Sequence, residues 1–96
     1  MTSKAMFEKI PNASIMFWGA LFYLLDEEKE TPLRNGEVIS AWINFEEEYC
    51  LQLTETTARI VKDGLTCKYI KRFHKDDFPY TKLFDWYIKE TVLKEK

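Results

Sequence analysis

Six basic side chains, Arg59, Lys62, Lys68, Lys71, Arg72 and Lys75, fall in a short stretch that also holds His74 and a single acid, Asp63. Guanidinium and ammonium groups at this density are ligands for phosphates and carboxylates, so the chemistry on offer is anion binding. Elsewhere the sign is reversed. Residues 1–55 hold four Lys/Arg and ten Asp/Glu, net −6, and residues 56–96 hold ten and six, net +4, which sum to −2 for the whole chain. A molecule polarised in this way usually meets something charged.

Nucleophilic and metal chemistry is poorly supplied by comparison. His74 is the one histidine, and Cys50 and Cys67 lack CxxC or CxxH spacing. A zinc site would need both thiols, that imidazole and a carboxylate to converge. There is no Gly-rich phosphate loop and no GxSxG, and Asp76-Asp77 reads as a turn and cap pair. The expectation is a protein that is not an enzyme and carries no metal and no cofactor. Two cysteines without a disulfide-like framework fit a reducing, cytoplasmic compartment.

The elements that position these residues must fit into 96 residues, which is one domain, 1–96. A chain of this size buries roughly 60–65% of its unfolded surface, enough for one core. Three Trp, five Tyr and seven Phe supply it, with rings to spare as contact anchors. The apolar run Ile15 to Leu25 is too short to span a membrane, which takes roughly 20 residues. It runs into Asp26-Glu27-Glu28-Lys29-Glu30 instead of a small-residue cleavage site, so it is no signal peptide either. Asn12-Ala13-Ser14 matches a glycosylation sequon but reads better as a helix cap.

From Asn12 to about Glu30 the spacing predicts a helix, with Ile15, Trp18, Phe22 and Leu25 on one stripe and Met16, Phe17, Leu21 and Leu24 widening it until it must be central. Between Gly36 and Leu53 the helical and alternating templates tie. Three successive glutamates with Ala, Leu and Gln break the tie towards helix. Asp63-Gly64 is a two-residue hairpin signal that would join strands 57–62 and 65–73. Against it, Ala58, Val61 and Leu65 recur at helical spacing behind a Thr cap, which predicts a helix over about 54–68. After a strand at Tyr69 to Phe73 and a polar loop, the aromatic segment 80–86 reads as a return strand and 87–96 as a closing helix.

At these residues, from about Asn12 to Leu93, the chain resembles the winged helix-turn-helix domains, in particular the small ones of phage and plasmid replication proteins. The resemblance lies in an apolar first helix, a second helix ending near Cys50, a short turn, a Thr-capped third helix, "YIKRF", a polar loop with a proline and an aromatic return strand. It implies an α+β, mainly helical fold: three core helices, a two-stranded wing and a C-terminal helix. The implied partner is double-stranded DNA. Glu55, Thr56, Thr57, Arg59 and Lys62 would face the major groove, and Lys71, Arg72, His74 and Lys75 would form a wing on the phosphate backbone, with Lys68 in the same basic patch. Arg59 is the candidate for a guanine edge because its planar fork bonds in pairs. Thr54 and Thr56 are caps or phosphate ligands.

A second reading from another class is a small interaction or inhibitor protein that engages a basic partner through an acidic face, Asp26 to Glu30 with Glu46 to Glu48, and does not touch DNA. A homodimer through Trp86, Tyr87, Ile88, Val92 and Leu93 is also expected, unless these residues fold back on the first helix.

Overall fold

The computed structural model of the chain describes residues 4–72 and 80–93, with side chains from residue 11 onward. A 27-residue helix, α1 (Lys4–Glu30), leads into four strands, β1 (Ile39–Trp42), β2 (Tyr49–Leu53), β3 (Thr57–Lys62) and β4 (Leu65–Lys71). A second helix, α2 (Tyr80–Tyr87), continues into one π-helical turn at Ile88–Val92. The strands form an antiparallel meander in the order β1-β2-β3-β4. The fold is therefore α+β with a four-stranded sheet and two helices, which corrects the expected winged helix of three core helices and a two-stranded wing.

Each departure has a local cause. The helix expected over 54–68 is a hairpin, because Asp63 and Gly64 take φ of 53° and 79° and make the tight turn whose twist matches paired strands. Thr54 is not a helix cap. Its hydroxyl accepts the Thr57 backbone N–H (2.9 Å) and shares a 2.6 Å bond with the Thr57 hydroxyl, closing the β2–β3 turn. Between Gly36 and Leu53 the alternating template prevails: Ile43, Leu51 and Leu53 are buried and Ile39 and Ala41 pack on the same core. The helix-forming glutamates are accommodated in the β1–β2 connection. There Asn44 Oδ1 accepts the Glu48 and Tyr49 backbone N–H groups (3.0 Å each), and Glu47 adopts φ 56°. Segment 80–86 is helix and not strand, since Tyr80, Leu83 and Tyr87 at i, i+3 and i+7 all face the core.

Helix α1 begins earlier than the Asn12 cap predicts and continues through Pro11. Its buried stripe is Phe17, Leu21, Leu24 and Glu28, one position out of phase with the expected one. Ile15 and Phe22 remain 71% and 58% exposed. At about 1.5 Å per residue the helix is about 40 Å long, and it sets the 46 Å long axis of the molecule. The core lies between α1, α2 and one face of the sheet, with Phe17 against Phe84 and Tyr87. Of the C-terminal residues named for a homodimer or for folding back on the first helix, Tyr87 and Ile88 are buried and Trp86 and Val92 pack on the core cluster, while Leu93 is exposed.

Candidate binding surface on the open face of the sheet

Both helices pack against one side of the sheet, so the residues of opposite parity face away from the core. Ile39, Ala41, Leu51, Leu53, Ala58, Ile60 and Ile70 carry the core side. The other parity forms two rows across the strands. One is Ser40, Gln52, Arg59 and Tyr69; its neighbour is Trp42, Cys50, Val61 and Thr66. Lys71 stands beyond them, opposite Thr57. At about 4.8 Å per strand the rows span about 14 Å.

A β-bulge decides which side chains of β4 reach this face. Beyond the turn, Lys62 pairs with Leu65 and Val61 with Thr66, but Ile60 pairs with Lys68, so Cys67 is the extra residue. Without it an unbroken ladder would set Lys68 opposite Arg59 and turn Tyr69 inward. With it, Tyr69 faces out beside Arg59 and Ile70 enters the core over Ala58.

Arg59 Nε donates to Gln52 Oε1 at 2.9 Å, which ties the guanidinium to the neighbouring strand. No other bond from this guanidinium to a described residue is present, so its remaining N–H groups can serve a partner. Beside it Thr57, Arg59, Thr66, Cys67, Lys68 and Tyr69 line a shallow groove of about 480 Å³. Trp42 and Tyr69 are 48% and 57% exposed. None of the four strands contains an acid, while they hold Arg59, Lys62, Lys68 and Lys71. The described acids sit in the connections and on the helical segments.

The basic run predicted as one DNA-binding surface is dispersed. Glu55 and Thr56 are exposed in the β2–β3 turn, and Thr57 is half-buried at the start of β3. Lys62 has the core-side parity and lies at the sheet end, with its ammonium 5.2 Å above the Tyr49 ring and 3.9 Å from Glu48. Lys68 is exposed at a core-side register position, although it borders the groove. His74 and Lys75 lie outside the described residues. Of the predicted set, only Arg59 and Lys71 share the open face, with Thr57 at its margin.

Arg72, assigned to a wing, is buried. Its Nη1 donates to Glu28 Oε2 (3.1 Å) and the Thr54 carbonyl (2.6 Å), its Nη2 to Glu28 Oε1 (2.5 Å) and its Nε to the Tyr80 hydroxyl (3.1 Å). Burial opposes its charge, but the Glu28 and Tyr80 hydrogen bonds prevail and hold its pKa above the usual arginine value. Arg72 thus ties α1, the β2–β3 turn and α2 together.

The acidic face is likewise divided. Glu46 and Glu48 lie near Asn12 and Ala13 of α1, whereas Glu28 meets Arg72 about 22 Å further along that helix. Trp42, Gln52 and Tyr69, absent from the sequence-based set, are the residues that complete the surface. The alternation of 39–42 and 49–53 was the signal for Trp42 and Gln52; Tyr69 had none, because a regular ladder from the Asp63-Gly64 turn would turn it inward.

Among the described residues no cluster of His, Cys, Asp and Glu is arranged to hold a metal ion, and no helix is long and apolar enough to cross a membrane. No protein-family model matches the chain, and no curated protein or solved structure matches it significantly.

Proposed function

We propose that the chain is a protein-interaction module that docks the open face of its sheet on an acidic surface of a partner protein. The observation that carries this reading is the grouping of Trp42, Arg59 and Tyr69 on one solvent-facing side of a rigid sheet. These three residue types dominate binding hot spots: the Trp and Tyr rings bury a large area for little conformational entropy, and the arginine fork offers several charge-assisted hydrogen bonds in a fixed plane. The absence of acids from all four strands favours an anionic partner, and Lys71 adds to the attraction. Replacement of the expected helix by a hairpin removes the groove-reading element on which duplex recognition depended.

Alanine at Trp42, Arg59 and Tyr69 is expected to abolish copurification of the partner from source cells while the thermal unfolding midpoint stays in place. Retention of the same partner by the triple variant would end the reading. Labelled single-stranded and duplex oligonucleotides supply the opposing arm. Salt-sensitive binding of either, lost in the triple variant, would move the surface to nucleic acid.

A further inference from the structure

At the end of the molecule remote from Arg72, the β1–β2 connection, the first half of α1 and the π-helical turn enclose a cleft of about 620 Å³. Phe45, Tyr49 and Tyr87 supply its rings, and Glu46, Glu48 and Glu90 its carboxylates. Phe45 is 80% exposed, an unusual position for a phenyl ring that covers nothing. Tyr49 and Tyr87 meet edge to face, with centroids 5.7 Å apart. Carboxylates alone would mark only a solvated turn, and these do not converge as metal ligands do. Aromatic faces beside carboxylates are instead the recognition chemistry of an organic cation, whose apolar stem and diffuse charge suit rings better than a small hydrated ion.

The chain already shows this chemistry at the edge of the cleft. Lys62 places its ammonium 5.2 Å from the Tyr49 centroid and 3.9 Å from Glu48 Oε2, so one alkylammonium is held by two of the lining groups. We infer that the cleft is a binding site for a second alkylammonium group, taken against the exposed Phe45 ring with Glu46 and Glu48 as counter-charges. The local field agrees. Burial, then Glu46, Tyr49 and Glu48, push the Tyr87 hydroxyl up to about 12, while a hydrogen bond with Thr91 opposes them. Asn44 Nδ2 donates to Glu46 Oε1 (3.0 Å) and fixes that carboxylate relative to the rings. The site is independent of the open sheet face, and its test uses none of that face's residues.

The source of the ammonium is either a lysine side chain of a polypeptide or a free amine. Nα-acetyl-lysine methylamide and pentylamine represent the two, and 1-pentanol is the uncharged control. In an NMR titration of the full chain, saturable shifts of the Tyr49 and Tyr87 ring resonances are expected with both amines and not with the alcohol. Tighter binding of the acetyl-lysine derivative identifies a polypeptide source, and tighter binding of pentylamine a free amine. Phe45→Ala and Glu48→Gln should each weaken binding by about two- to fivefold, the range of an exposed cation–π or ionic contact. Lys62→Met, which removes the resident ammonium, should tighten it. No saturable shift with either amine, an equal response to the alcohol, or undiminished binding in both Phe45→Ala and Glu48→Gln overturns the inference.

Discussion

Arg59 and Arg72 belong to one basic run, thirteen residues apart, yet their surroundings assign them opposite duties. Arg72 is enclosed by Glu28, Thr54 and Tyr80 on the core side, where every bond it makes is internal. Arg59 lies on the open side, held by one bond to Gln52 and bordered by Tyr69 and a shallow groove. Local charge density did not distinguish them. The difference is strand parity, and it teaches that a cluster of cations along a chain becomes a surface only if the sheet turns them the same way.

The largest test of that contrast is Arg72→Met. It leaves the Glu28 carboxylate buried without its main partner, a loss of about 3–5 kcal/mol. The thermal midpoint should fall by about 12 °C or more, read by circular dichroism. A midpoint within a few degrees of wild type would break the contrast at its buried end.

Raised pH probes the same side. A tyrosine whose folded pKa is raised from 10 to about 12 contributes stability that is fully present below pH 10 and lost as pH rises through about 12. Denaturant midpoints should decline across pH 10–12, and Tyr87→Phe should flatten the decline. An identical slope in the variant would show that other groups govern alkaline unfolding.

Gly64→Ala bears on the hairpin that presents Arg59. At φ 79° a side chain is strained, and about 1–2 kcal/mol should be lost in urea unfolding. Smallest of all, Arg59→Ala and Tyr69→Ser should each change stability by less than about 1 kcal/mol, because neither fills the core. A larger loss would mean that the open face is structural after all.

Part of this architecture was legible in the residues. The first helix announced itself through its apolar density, and Asp63-Gly64 carried the correct hairpin signal with nearly the right strands, 57–62 and 65–73. That signal lost to the helical recurrence of Ala58, Val61 and Leu65, which is a coincidence of two strands read as one period. Glu46-Glu47-Glu48 misled for a related reason: helix propensity is a weak prior, and those residues lie in a connection where it has no bearing. The site was legible only in Arg59 and Lys71, with Thr57 at its margin. Trp42 had its face marked by the alternation of 39–42, which the tie with the helical template concealed, whereas Tyr69 could not be assigned one, because it points outward only through the irregularity at Cys67, which no alternation count anticipates.

That extra residue has a consequence for how the edge strand tolerates changes of length. Excising Cys67 restores a regular ladder in which Lys68 still meets Ile60, Tyr69 still meets Arg59 and Ile70 still covers Ala58. A one-residue deletion, ruinous in most strands, should therefore yield a folded protein with an unchanged pattern of interstrand NOEs beyond position 68. Removing two residues there would present lysine to the hydrophobic interior and tyrosine to its wrong neighbour, and the sheet would have to unravel or re-pair.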